Sequence, residues 1–243
     1  MGLINLTDDS EQPREPLLPN MLYRFRKSGR FDRNEVTGFH GVFASAGLNH
    51  FMIYKNVLRE NSFVNFSFSG RNIGIKGNKI YYPGRGTTGD GITGMDTLIN
   101  VDFLSNDIIG GSCYGISLLV NFSRSVRISD NNIIGGITSA VIVAHEPGSA
   151  MNDVKGIDIV SNVMFGNVGF AVAVETGDDI RIEKNQMANN ATGFGEQIYL
   201  RSSSKNVIIT GNTKFIPLTP AWEEGLGHSH VSPGDKAIVV PLQ

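Results

Sequence analysis

Three apolar runs end in side chains that can hold a proton or meet an anion. His145 and Glu146 follow Val143-Ala144, Glu175 follows Val174, and Arg201 follows Leu200; a fourth run, closing at Val120, is followed by Asn121. Two carboxylates within reach of each other supply an acid and a base for cleaving a glycosidic bond, and a guanidinium beside a uronate stabilises developing charge. Glu146, Glu175, His145 and Arg201 are therefore the candidate catalytic set. The opposing reading is that strand ends carry solvated charges. Tyr81, Tyr82 and Tyr199 have rings suited to sugar faces, and Asp158 and Arg181 offer charged contacts, so these five are the candidate substrate-binding residues.

Such residues, scattered over some 120 positions of chain, meet only if a repeat stacks them. One is present. Taking Asn131 as reference, apolar residues stand five before it (Val126), three before it (Ile128) and two after it (Ile133). The same frame fits Asn56, Asn78, Asn106, Asn162, Asn185 and Asn212, and fails only at Lys214, two after Asn212. The average spacing from Asn56 to Asn212 is 26 residues, a solenoid period. Two-residue alternation makes a short strand with one buried face, and a unit this small buries that face only by stacking on its neighbours. Asn at the strand end suits a tight turn, and stacked Asn amides can bond one another. Ten to fifteen residues later comes a second strand, as in Ile116-Ser117-Leu118-Leu119-Val120 or Phe170-Ala171-Val172-Ala173-Val174. Gly-rich connectors such as Gly110-Gly111 and Gly135-Gly136 supply corners.

The column four before each Asn reads Met52, Gly74, Asp102, Arg127, Asp158, Arg181, Ile208. Its alternating signs describe a surface ladder of ion pairs.

These features resemble the right-handed parallel β-helix superfamily of pectate-lyase-like proteins, over about Phe51 to Phe215. The expected fold is all-β: a single-stranded right-handed parallel β-helix (solenoid) of about seven rungs, with a short N-terminal capping helix and an irregular C-terminal cap. The expected organisation is a polar N-terminal arm at 1–19, a cap and degenerate first rung at 20–50, the β-helix at 51–215 and a cap or tail at 216–243. The superfamily includes lyases, hydrolases, epimerases, tailspikes and adhesins, so the fold leaves activity open. Fragments similar to the polygalacturonase signature, Thr176-Gly177-Asp178-Asp179 and Gly227-His228-Ser229, are incomplete: the preceding Asn-Thr-Asp element is absent and Ser229 replaces a Gly.

The net charge is −2, from 21 basic and 23 acidic residues that read as interspersed along the chain. That balance gives no basic stripe for nucleic acid and no polybasic membrane patch. The lone cysteine, Cys113, forms no intrachain disulfide, and His228 and His230 alone do not make a metal site; neither cofactor nor metal is expected. The first ten residues lack the basic head and apolar run of a secretion signal, and no transmembrane run is present. The expectation is a tailspike-type, virion-associated or extracellular protein without a conventional secretion signal. It would bind, and in one version depolymerise, a surface polysaccharide, as a homotrimer docked on a larger particle through the N-terminal arm. The alternatives are a stand-alone polysaccharide lyase, glycoside hydrolase or epimerase, and a non-catalytic structural or adhesive β-helix. Trimerisation is implied by the resemblance alone.

Overall fold

The computed structural model describes residues 6–7, 28–38, 42–62, 64–83, 89–136, 138–145, 153–190, 197–201, 204–214 and 240–241. Within them the chain winds as a parallel β-solenoid of about six turns. Each rung has three sides. Face A is the strand before the repeated asparagine (51–54, 73–76, 101–104 and so on), face B the short strand after it (Val57–Arg59, Lys79–Tyr81, Asp107–Gly111), and face C the strand that follows (66–68, 92–95, Val141–Ala144). Every rung pairs in parallel with the next on all three faces.

Alternation decides which side chains enter. On face A, Ile53, Ile75, Phe103, Ile128, Ile159 and Ile182 stack in one inward column, each 0 % exposed; burying each such side chain stabilises by about 1.5–3 kcal/mol. Phenylalanines fill the first rungs, where Phe31 meets Phe43 and Phe66 with ring centroids 5.6 and 6.0 Å apart. Val and Ile take over from Ile108 onward.

The corners are built from left-handed residues in register. His50, Asn72, Asn100, Ser125, Gly156, Asp179 and Asn206 turn face C into face A, and Lys55, Gly77, Ser105, Asp130, Ser161, Lys184 and Gly211 turn face A into face B, all with φ between 47° and 65°. Short polar residues and glycine tolerate that region best. Immediately after the second corner lies the asparagine ladder, which begins at Asn34. Asn34, Asn56, Asn78, Asn106, Asn131, Asn162, Asn185 and Asn212 are buried, and each Nδ2 donates to the next Oδ1 at 2.9 Å. The Oδ1 also accepts the backbone N–H of the preceding asparagine, and the second Nδ2 hydrogen goes to a backbone carbonyl of the preceding rung, as from Asn106 to Ile75. All four bonding capacities of the interior amides are used.

Both ends carry a short antiparallel strand: Leu6–Thr7 pairs with Arg30 and Phe31, and Val240–Pro241 with Thr213–Lys214. Open sheet edges invite unwanted pairing, and these strands occupy them. No helix occurs among the described residues. The capping helix expected from Asn20, and the rest of the N-terminal arm and C-terminal tail, lie outside the described residues.

Candidate functional site

Two outward columns run along face C. The first is Ser67, Thr93, Ser117, Ile142, Ala173, Tyr199, by direct strand register. The second is Met95, Leu119 and Ala144, continued by Glu175 and Arg201. Glu175 N–H donates to Val143 O, and Arg201 N–H to Val174 O, both at 2.8 Å, which fixes that continuation. The surface therefore passes from hydroxyls through apolar residues to a charged pair.

At the hydroxyl end Asp90, 8 % exposed, is the hub. Its Oδ2 accepts from Thr93 Oγ1 at 2.9 Å and from Ser117 Oγ, and its Oδ1 accepts Tyr114 N–H at 3.2 Å. Burial, reinforced by the negative charge of Asp90, pushes the Cys113 thiol above its usual range. In the middle, Ile142, Ala144 and Ala173 point away from the solenoid core yet are buried, because Tyr114, Leu119 and Phe170 pack over them. At the charged end Arg201 Nη1 lies 3.7 Å from Glu175 Oε2, with both side chains substantially exposed. Beside them Phe170 and Tyr199 stack with centroids 5.2 Å apart at 23°. Tyr199 remains 37 % exposed. Burial first, and then the charges of Cys113, Glu175 and Asp90, raise the Tyr114 hydroxyl above its ordinary value. The patch thus offers an aromatic face, a carboxylate and a guanidinium within one or two rungs of one another.

Of the candidate catalytic residues, Glu175 and Arg201 come together. His145 directly follows Val141–Ala144 on the same face, one rung before Glu175. Glu146 lies outside the described residues. The candidate binding residues divide among faces. Tyr199 is on face C. Asp158 and Arg181 are on the outside of face A, 3.8 Å apart, with Arg181 also 2.7 Å from Glu183. They help line an open depression of about 500 Å³ with Asn100, Asp102, Arg127 and Asp179. Tyr81 lies on face B beneath the Arg59 guanidinium, 4.6 Å from its ring centroid, and Tyr82 occupies a left-handed position at the corner from face B toward face C.

Tyr114 is one of the aromatics whose rings suit sugar faces, whereas Asp90, Thr93, Ser117 and Phe170 carry no functional expectation from the sequence. The signal was present in the second apolar runs: aligning their outward positions would have set Thr93 beside Ser117 and Tyr199 beside Ala173. Among the described residues no group of three or more His, Cys, Asp or Glu is placed to hold a metal ion.

The fold and this surface define a parallel β-solenoid with one partly apolar outer face. No protein-family model matches the chain, and no curated protein matches it. Among solved structures it is similar to the A-module of the Azotobacter vinelandii mannuronan C-5 epimerase AlgE4, with 12% identity over 85% of this chain and 90% of that one, and a TM-score of 0.30.

Proposed function

We propose that the protein is a polysaccharide-binding β-solenoid of the tailspike kind, holding a surface glycan across the charged end of face C. The supporting observation is the exposed Tyr199 ring, braced by Phe170, beside the Glu175–Arg201 pair. An aromatic face receives the apolar side of a sugar ring, while a carboxylate and a guanidinium receive its hydroxyls and any uronate carboxylate. On this reading residues 1–19 dock the chain on a larger particle and three copies assemble.

The test is affinity electrophoresis against bacterial capsular and plant uronate polysaccharides. A retarding polysaccharide should lose at least tenfold in affinity for a Tyr199→Ala, Arg201→Gln double variant. Equal retardation of that variant would remove face C from the reading. Following reducing ends and ultraviolet absorbance in the same incubations separates binding from cleavage. A second reading, as a lyase, hydrolase or epimerase, draws on the Glu175–Arg201 approach with His145 one rung away; turnover that survives Glu175→Gln would exclude this site.

A further inference from the structure

The sequence presents its charges as interspersed, but the fold sorts them. Around the corner from face A to face B, the first three rungs (29–37, 51–59 and 73–81) carry six bases, Arg30, Arg33, Lys55, Arg59, Lys76 and Lys79, against two acids, Asp32 and Glu35. The equivalent positions of the later rungs (101–109, 126–134, 157–165, 180–188 and 207–214) carry four bases against five acids. The excess positive charge is therefore confined to one end of one edge.

We infer that this edge of the first three rungs is a docking strip for an anionic polysaccharide, separate from face C. Three observations support it. The corner residues Arg33 and Lys55 stand at φ 51° and 53° on consecutive rungs, so their stems leave from equivalent points about 4.8 Å apart by strand spacing. Neither has an acidic partner within ion-pair distance among the described residues, and the same holds for Lys79, whereas Arg30, Arg59 and Lys76 are met by Asp32, Glu35 and Asp102 at 2.8, 3.7 and 3.4 Å. Second, the aromatics hold cations in place: Arg30 and Lys55 lie 5.5 and 5.0 Å from the Tyr54 ring centroid, and Arg59 lies 4.6 Å from that of Tyr81. Arg30 and Arg59 also meet Asp32 and Glu35, so of the cations held on rings Lys55 is the one left without an acidic partner among the described residues, and a cation already held in place has less freedom to lose on binding. Third, Tyr54 registers the local field: its phenol is lowered by a hydrogen bond to Lys55 and by the charges of Lys55, Arg33 and Arg30.

The polymer is a polyanion because the groups without an acidic partner are cations. A polysaccharide fits better than duplex nucleic acid, whose charge of one per about 1.7 Å of axis calls for a longer and denser basic surface than three rungs provide. The choice of polysaccharide over other polyanions rests on the proposed function; the preference for negative charge rests on the strip alone.

The experiment measures binding of sodium polygalacturonate, neutral dextran and duplex DNA to the full chain across a salt series. It compares wild type, an Arg33→Gln, Lys55→Gln, Lys79→Gln triple variant, and the Tyr199→Ala, Arg201→Gln variant of face C. All three triple-variant positions are exposed, and circular dichroism confirms an unchanged fold. The expected result is polygalacturonate affinity at least tenfold weaker in the triple variant with a shallower salt dependence, and little affinity for dextran. Unchanged polygalacturonate binding in the triple variant, or dextran bound as tightly as polygalacturonate, overturns the strip. Tighter binding of DNA than polygalacturonate through the same residues overturns its assignment to a glycan. Loss confined to the face C variant leaves the proposed function standing and the strip refuted; loss confined to the triple variant does the reverse.

Discussion

Faces A and C share one backbone plan, yet their outer surfaces follow opposite rules. Outside face A, Asp102, Arg127, Asp158 and Arg181 stand one rung apart with alternating sign and remain in water. Among the described residues Asp158 pairs with Arg181 at 3.8 Å, while Asp102 meets Lys76 at 3.4 Å and Arg127 makes no ion pair, so the expected continuous ladder of ion pairs is broken. Exposed pairs contribute about 0–1 kcal/mol, and the alternation keeps like charges apart without holding the rungs together. Outside face C, Ile142 and Ala173 are buried against Tyr114, Leu119 and Phe170, and Ser117 is buried against Asp90 and Thr93. A strand's outward side is thus solvated or covered according to what its flanking loops carry, and a face that its loops cover forms a second, smaller core with its own buried polar groups.

Changes that separate the two faces should differ widely in effect. The largest is Asp90→Ala, which strips an acceptor from the buried hydroxyls of Thr93 and Ser117 and from Tyr114 N–H. Ser117 Oγ keeps Thr93 Oγ1 as a partner at 3.0 Å, so two groups lose their acceptor, and at about 1–3 kcal/mol for each urea unfolding should show a loss of about 2–6 kcal/mol. A loss below about 1 kcal/mol would mean that water serves those groups as well as Asp90 does. Next comes Ile142→Ala, which empties the small core outside face C and should cost about 2–4 kcal/mol. Arg127→Ala, on face A of the same rung, is the matched control and should stay within about 0.5 kcal/mol. Removing the Asp158–Arg181 pair by double alanine substitution should move stability by no more than about 1 kcal/mol, with the difference shrinking further in high salt. The smallest effect is chemical: with its thiol raised by burial and by Asp90, Cys113 holds less thiolate than a free cysteine at any given pH. Iodoacetamide should therefore modify it slowly near pH 8, with the rate rising at higher pH than for an unfolded control.

The solenoid was legible because one residue type marks every rung. An asparagine that must bond its neighbours above and below recurs in register, and the apolar positions that flank it are the inward columns of faces A and B. Asn34 shows where that legibility ends: it heads the ladder, but the frame around it is short of its first apolar position, where Gly29 stands against Phe51 of the next rung. Face C was legible only as apolar runs. Its spacing from the ladder varies with the connectors, so aligning the run ends set Glu175 with Arg201, but Asp90, which lies outside any apolar run, could not be set beside Ser117. The division of the candidate binding residues has the same origin: Tyr81, Asp158 and Tyr199 each look like ligands singly, and only the three-sided rung reveals that they face different directions. The basic edge was missed for a different reason, since a total over the whole chain averages a positive end with a negative remainder.

The asparagine ladder also has a direction, and that bears on how the chain is made. Each asparagine uses one side chain to grip the rung before it three times: Asn106 Oδ1 accepts both N–H groups offered by Asn78, and its Nδ2 donates back to Ile75 O. The same triple grip recurs at Asn131, Asn162 and Asn185 toward their predecessors. A chain growing from its N-terminus therefore gains, with each ladder asparagine added, the three side-chain bonds that join its rung to the one already made.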